Sequence, residues 1–91
     1  MKLLHVMSWS LYILQSARSR RYYIGYSENP SRRVEFHNST EKGFTARYRP
    51  WRIVYTKEFA TKAEAMEAER KVKGWKSAKM IKRLLVGEEL L

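Results

Sequence analysis

The 91-residue sequence contains no cysteine and no long apolar run. Without cysteine, neither a disulfide framework nor a thiolate metal site can form. No stretch approaches the roughly 18 apolar residues of a membrane-spanning helix, and the short apolar opening is too brief for a signal-peptide core. We therefore expect a soluble, cytoplasmic protein with no membrane role. At this length we expect a single domain over residues 1–91, with its core at about 9–86.

Acidic residues are also scarce. Nine Asp and Glu stand against nineteen Lys and Arg, which gives a formal net charge of +10. Such an excess on a small domain is typical of proteins that bind a polyanion, and nucleic acid is the first candidate. A basic surface that serves only solubility is the alternative.

Strand and helix signals alternate along the chain. They predict strands over 9–15, 21–26 and 51–59, and helices over 30–38, 61–73 and 76–86. The order β-β-α-β-α-α predicts a mixed α/β (α+β) fold in which helices flank a three-stranded antiparallel sheet. The predicted helix starts carry capping signals: Asn29 before Pro30, Thr61 with Glu64, and Ser77.

The third predicted strand alternates, with Trp51, Ile53 and Tyr55 expected on one face and Val54 on the other. Gly74 is expected to end or break the helix that begins near Thr61, and Gly87 to stop the last helix.

The segment 39–50 is predicted to be a loop in which basic and aromatic residues are interleaved. This pattern suits contact with a phosphate backbone and stacking on bases, although a disordered connector would have a similar composition. The candidate nucleic-acid-binding residues are Lys42, Thr45, Arg47, Tyr48 and Arg49, together with Lys73 of a later helix.

Four polar side chains in the first half of the chain could form a phosphate site. Tyr12 and Tyr23 lie in the first two strands, and Arg33 and His37 share one face of the following helix because they are four residues apart. The alternative is that Arg33 and His37 form only a solvated surface pair. Gly25, inside the second strand, indicates a bulge, a turn or the close approach of another group.

Glu69 falls on the apolar stripe of its predicted helix. The stripe comprises Ala65, Met66, Ala68 and Val72. A carboxylate aimed at the interior is costly unless it is paired or binds a metal. The alternatives are an ion pair with Arg70 or Lys73, or a stripe too shallow to bury Glu69.

These motifs together resemble the GIY-YIG nuclease superfamily, and most closely its small single-domain bacterial branch related to the N-terminal nuclease domain of UvrC. The resemblance rests on L-Y-I at 11–13, Y-I-G at 23–25, Arg33 with His37, and Glu69 within E-A-x-x-x-E, and it covers about residues 9–85. It implies an endonuclease that hydrolyses phosphodiester bonds in nucleic acid with one divalent metal, Mg²⁺ or Mn²⁺. DNA is favoured over RNA, and a role in DNA repair is implied.

By position, the resemblance implies catalytic roles for Tyr12, Tyr23, Arg33 and His37, and metal binding by Glu69. One carboxylate suffices for Mg²⁺, which keeps several waters and takes other ligands from substrate phosphate. A guanidinium neutralises charge on the phosphoryl group. Which tyrosine takes the proton is left open.

Two positions depart from the family pattern. Ser10 stands in place of the first motif's glycine, and Tyr26 stands where UvrC-like members often carry lysine. If that lysine helps to activate water, then Lys42, Arg32 or His37 must replace it.

Other functions remain open at this point. The protein could be a nucleic-acid-binding module that kept the fold without efficient cleavage, or an accessory protein that binds a partner. We expect any sequence specificity to be weak or to be supplied by a protein partner.

Overall fold

The computed structural model describes residues 8–39 and 43–91, with three strands and four helices. In chain order these are β1 (Trp9–Ser16), β2 (Tyr22–Ser27), α1 (Pro30–Ser39), α2 (Phe44–Arg47), β3 (Trp51–Phe59), α3 (Lys62–Trp75) and α4 (Ala78–Leu85). The strands form one antiparallel sheet in the order β2-β1-β3. The predicted antiparallel sheet flanked by helices is confirmed. Across the described ranges, no helix is long and apolar enough to span a membrane.

The central strand β1 supplies the core on both faces of the sheet. Its residues 11–14 are all at most 1% exposed, and successive side chains point to opposite faces. One face carries an aliphatic layer, which consists of Leu11, Ile13, Ala68, Val72, Ile81 and Leu84. The other carries an aromatic layer of Tyr12, Leu14 and Trp51, with Tyr23, Val34, Tyr48 and Ile53 packed against it. Helices α3 and α4 therefore cover the first face, and α1 covers the second.

The capping residues predicted for three helices are confirmed. The Asn29 side chain accepts a hydrogen bond from the Arg32 backbone N–H at 3.1 Å. Thr61 and Glu64 form a reciprocal capping box at the start of α3. Ser77 accepts from the Met80 N–H at the start of α4. Each cap satisfies backbone donors that have no partner within the helix.

The predicted stop of α4 at Gly87 is confirmed, whereas the predicted role of Gly74 is wrong. Gly87 has a φ of 84°, and the Glu88 N–H reaches back to the Arg83 carbonyl at 2.8 Å, which completes a Schellman motif. Gly74 lies inside the last turn of α3. The helix ends one residue later, and Lys76 adopts the left-handed conformation instead, with a φ of 49°.

The expectation of an unbroken loop over 39–50 is also corrected. Residues Phe44–Arg47 form the short helix α2, preceded by Gly43 at a φ of 86°. Within the part of the chain that the structure describes, no side-chain hydrogen bond caps this helix. It is held from outside, because the Trp51 indole N–H donates to the Thr45 carbonyl at 2.7 Å.

The strict alternation predicted for β3 is wrong because the strand contains a bulge. Ile13 pairs with Tyr55, but the next β1 residue, Leu14, pairs with Ile53, so Val54 is the extra residue. One added residue reverses the face of every side chain beyond it. Ile53 therefore packs in the aromatic layer, whereas Tyr55 packs in the aliphatic layer.

Candidate active site

Tyr12 and His37 form a buried polar pair beneath α1. Each is 1% exposed, and the Tyr12 hydroxyl lies 3.2 Å from His37 Nε2. The Arg49 Nε donates to the His37 carbonyl at 3.1 Å, which fixes the end of the helix that carries the imidazole. This burial rules out the alternative that Arg33 and His37 form only a solvated surface pair.

Gly25 makes room for the Tyr12 ring. The two residues are directly opposite in the β1–β2 ladder. A Cβ atom on Gly25 would lie 2.7 Å from the Tyr12 hydroxyl oxygen and 2.8 Å from its Cζ. The phenol therefore lies across the glycine, which explains the glycine inside the strand: another group approaches the backbone closely there.

Tyr23 and Trp51 extend the pair of Tyr12 and His37 into a group of aromatic rings, which we call the ring cluster. The half-buried Tyr23 ring lies 4.5 Å from the His37 ring and 6.3 Å from the rings of Tyr12 and Trp51, between centroids. Asn38 holds the Trp51 backbone from both sides, accepting from its N–H at 2.6 Å and donating to its carbonyl at 2.9 Å. Sequence reasoning placed Trp51 only as a strand start. Its aromatic neighbours come from distant parts of the chain and gave no local signal.

Arg33 lies one turn before His37 on α1 and is half-buried. Its guanidinium carbon lies 4.8 Å from the centre of the Phe36 ring. Phe36 in turn lies 6.4 Å from the His37 ring, edge to face. The Arg33 guanidinium therefore lies against Phe36, the residue that precedes His37 on α1.

Glu69 lies on α3, which covers the opposite face of the sheet. Its side chain is 21% exposed, and its Oε2 lies 3.3 Å from the Lys73 Nζ. Glu67 lines a surface groove with Phe59 of β3. Residues two apart point to nearly opposite sides of a helix, so Glu69 faces away from this groove. Of the predicted ion-pair alternatives, the one with Lys73 is present.

The apolar stripe of α3 is narrower than predicted. Ala65, Ala68 and Val72 are buried, but Met66 is exposed. Glu69 therefore sits at the margin of the stripe and keeps contact with solvent. A carboxylate at such a margin can bind a cation without the full cost of burial.

Comparison with known proteins decides the family. The GIY-YIG catalytic domain matches residues 8–82. The chain belongs to the GIY-YIG family. A UPF0213 protein of Streptococcus pneumoniae is 41% identical over 64 residues, which cover 69% of this chain and 64% of that protein. The solution NMR structure of a UPF0213 protein from Bacillus halodurans has a TM-score of 0.56 and 30% identity, and covers 88% of this chain and 84% of that one.

A larger relative shares the same domain. The structure-specific endonuclease subunit SLX1 homolog of Giardia intestinalis is 40% identical over 62 residues. These residues make up 63% of this chain but only 17% of that protein. The likeness therefore concerns the GIY-YIG domain and not the rest of the larger protein.

The predicted nucleic-acid contacts of the GIY-YIG domain have different environments. Arg47 is exposed, whereas Thr45 is 3% exposed and its hydroxyl makes no hydrogen bond to any of the described residues. Tyr48 packs beneath Arg21, whose guanidinium carbon is 4.5 Å from the ring centre. Arg49 donates a hydrogen bond to the His37 carbonyl, and Lys73 is paired with Glu69. Lys42 lies outside the described residues. Thr45 is thus turned away from any ligand at the surface.

Tyr26 occupies the position where a lysine was expected in related GIY-YIG domains. Its ring packs against Trp9 at 6.0 Å between centroids. Of the three residues suggested in place of that lysine, His37 lies in the ring cluster and Arg32 is exposed at the surface.

The carboxylates of the GIY-YIG domain do not form a closed metal cage. Within 8–39 and 43–91, no three His, Asp or Glu side chains converge on a common point. Glu69 as a sole protein ligand agrees with the chemistry of Mg²⁺, which keeps several waters.

Elsewhere, burial raises the pKa of Tyr55, which packs in the aliphatic layer and not in the ring cluster.

Proposed function

We propose that this GIY-YIG protein is a metal-dependent endonuclease that hydrolyses phosphodiester bonds in nucleic acid, with DNA the favoured substrate. The observation that carries the proposal is the cluster of Tyr12, Tyr23 and His37, with Arg33 one helical turn away. A phenol, an imidazole and a guanidinium at one place can move a proton and neutralise a phosphate.

The two tyrosines have different roles in this proposal. Tyr12 is 1% exposed, so it acts through His37 and is a positioning residue. In the tautomer that carries its proton on Nδ1, His37 accepts a hydrogen bond from the Tyr12 hydroxyl. Tyr23 is half-buried, and the centre of its ring lies 4.5 Å from that of the His37 ring. In this proposal the Tyr23 hydroxyl contacts the attacking water. We assign Tyr23 as the catalytic tyrosine.

Arg33 binds the scissile phosphate in this proposal. Guanidinium groups match the geometry of phosphate oxygens and remain charged at all relevant pH values. The Phe36 ring beneath the guanidinium limits its motion, so less order has to be created when the phosphate arrives. The net charge of +10 draws the polyanion to the site.

Glu69 would hold the metal ion. A single, partly exposed carboxylate fits Mg²⁺ or Mn²⁺, whose remaining ligands are water and substrate phosphate. When bound, the metal supplies charge stabilisation to the leaving oxygen. The Lys73 ammonium lies 3.3 Å from the Glu69 Oε2, so a bound cation would compete with it for the carboxylate.

The test is cleavage of a mixed panel of labelled DNA and RNA, single-stranded, duplex and branched, with Mg²⁺, with Mn²⁺ and with EDTA. We expect cleavage of at least one substrate with metal and none with EDTA. Activity that persists in EDTA would contradict the metal dependence. No cleavage of any substrate would contradict the nuclease proposal.

One observation favours a second candidate, a nucleic-acid-binding module with little cleavage. Glu69 is already paired with Lys73 and is carried by the helix on the opposite face from the ring cluster. The same panel distinguishes the two functions, because the module would bind without cutting. Either function predicts binding that weakens steeply with salt, since phosphate contacts release counterions. An affinity unchanged from 50 to 200 mM salt would contradict both.

A further inference from the structure

A second surface feature shares only Arg33 with the residues of the proposed chemistry. It is a surface groove of about 490 Å³ at the end of β2 and the start of α1. Its lining includes three aromatic rings and two guanidinium groups: Trp9, Tyr26, Phe36, Arg32 and Arg33. We call it the aromatic groove. Its volume is within the range of about 300–1,000 Å³ that is usual for ligand sites.

The rings of the aromatic groove are not fully covered by the fold. Phe36 is 42% exposed, and Trp9 and Tyr26 are half-buried. Trp9 and Tyr26 form one wall, with centroids 6.0 Å apart and planes at 52°. Single exposed apolar residues are ordinary on protein surfaces. Three aromatic rings that line one concave surface need a further explanation.

Positive charge accompanies each side of this groove. The Lys62 ammonium lies 5.4 Å from the centre of the Trp9 ring, and the Arg33 guanidinium carbon lies 4.8 Å from that of Phe36. Arg32 adds an exposed guanidinium, and among the described lining residues Glu28 alone is acidic. Aromatic faces next to cations suit a ligand with a flat π-system and a phosphate.

Arg33 belongs both to the aromatic groove and to the proposed active site. Phe36, in the groove, lies 6.4 Å from His37, in the cluster. If Arg33 holds the scissile phosphate, a nucleotide attached to that phosphate has its base within reach of the groove. A base paired in a duplex keeps its faces stacked on its neighbours, so only an unpaired base can enter.

We infer that the aromatic groove is a subsite for one unpaired nucleotide next to the scissile phosphate. Its phosphate contact rests on the proposed function, but base binding can be measured without cleavage. The base stacks on Tyr26 or Phe36, and the cations hold the adjoining backbone. This subsite favours substrates with single-stranded or distorted segments over perfect duplexes.

The test compares two single-stranded oligonucleotides of equal length in EDTA. One carries its bases, and the other has an abasic sugar at every position, so both present the same phosphates. The ratio of their dissociation constants isolates the contribution of the bases. We expect the bases to tighten binding of the unchanged protein by at least about fivefold, as stacking on aromatic side chains does. A ratio near one would overturn the subsite.

Phe36→Leu removes the ring but keeps apolar volume, and Phe44→Leu is its matched control. Phe44 is similarly exposed, at 47%, and lies on α2 outside the groove. We expect the ratio to fall toward one in Phe36→Leu and to remain at the parent value in Phe44→Leu. Equal losses in the two variants would show that the bases bind elsewhere.

Tryptophan fluorescence gives a second readout that does not depend on either Phe variant. The base-containing oligonucleotide should quench the unchanged protein more than the abasic one does, and Trp9→Phe should remove that difference. If the difference survives in Trp9→Phe, the inference fails. Base-dependent binding without cleavage would reject the nuclease proposal and keep the subsite. Cleavage with a ratio of one would do the reverse.

Discussion

The two faces of the sheet are built from the same strand but from different kinds of side chain. On the α3–α4 face, Leu11 and Ile13 meet only aliphatic and small residues in the buried cluster. On the α1 face, Tyr12 meets an imidazole, a second phenol and a glycine backbone. The buried residues described for the aliphatic layer are apolar, with phenol rings such as that of Tyr55 packed at its margin, whereas the aromatic side holds His37 and Thr45 in buried positions.

This difference indicates how stability and function are distributed. Apolar burial is non-directional and scales with area, so the aliphatic layer stabilises the fold without fixing precise angles. Hydrogen bonds and ring contacts are directional, so the aromatic side fixes the geometry of the candidate site. Neighbouring residues of β1 should therefore respond to mutation in different ways.

The largest effect on stability is expected for Ile13→Ala. The side chain is fully buried, and its truncation should lower the free energy of unfolding by about 2–5 kcal/mol, as cavity-forming substitutions do. Urea denaturation would measure it. Below the unfolding transition, the folded variant should cleave like the parent because the ring cluster is unchanged.

Tyr12→Phe is the counterpart on the other face. It keeps the ring but removes the hydroxyl that contacts His37, at a cost of about 1–3 kcal/mol in stability. Cleavage should fall although most of the protein remains folded. If Ile13→Ala and Tyr12→Phe change stability and cleavage in the same proportion, the two faces are not functionally distinct.

Glu69→Gln tests a proposed functional residue that lies on α3, the helix packed against the aliphatic layer. Loss of the metal-binding charge should lower cleavage by about 10²–10³-fold. Stability should change by less than about 1 kcal/mol, because the pair with Lys73 is partly exposed. Nucleic-acid binding in EDTA should persist or tighten, since a negative charge near the phosphates is gone.

Glu67→Gln is the matched control for Glu69. Glu67 is exposed and pairs with Arg70 at 2.7 Å, so its replacement also removes one carboxylate and one ion pair of α3. Cleavage should remain at the parent level. Similar rates for the two variants would mean that Glu69 is not the metal ligand.

Substitutions at two glycines should change stability in opposite directions. Gly25→Ala places a methyl group 2.7 Å from the Tyr12 hydroxyl, so the ring must shift, at a cost of about 1–3 kcal/mol, with a loss of cleavage. The methyl group of Gly74→Ala meets no described atom within 4 Å outside its own helix turn, so the substitution should raise stability by about 0.5–1 kcal/mol with cleavage unchanged. Thermal melting and cleavage rates check both. Equal behaviour of the two variants would contradict the close approach of Tyr12 to Gly25.

The elements that could be predicted from sequence are those with local signals. The three strands and the three longer helices were expected within one to two residues of their bounds because their capping residues and apolar patterns are local. Helix α2 could not be predicted in this way, because Trp51 holds it from outside. The bulge at Val54 was missed because both halves of β3 alternate normally, and only pairing with β1 shows the extra residue.

The candidate site was predictable in its residue types but not in its depth. The spacing of Arg33 and His37 placed them on one face of α1, but not that His37 is buried against Tyr12 and Tyr23. Burial depends on which strand lies beneath the helix, and that is set by tertiary packing. For Glu69, the stripe of α3 indicated an inward position, but its width depends on how closely α3 approaches the sheet. The roles assigned to these residues stay predictions.

The bulge at Val54 has a practical consequence for protein engineering. Trp51 and Ile53 pack in the aromatic layer, whereas Val54, Tyr55 and Phe59 pack against the aliphatic layer. The strand can therefore be randomised as two independent blocks, one selected for activity and the other for thermal tolerance. Deleting Val54 would join the blocks into one regular strand and force one of them to turn its side chains to the wrong face. A library that shortens β3 by one residue at this point should contain few folded members.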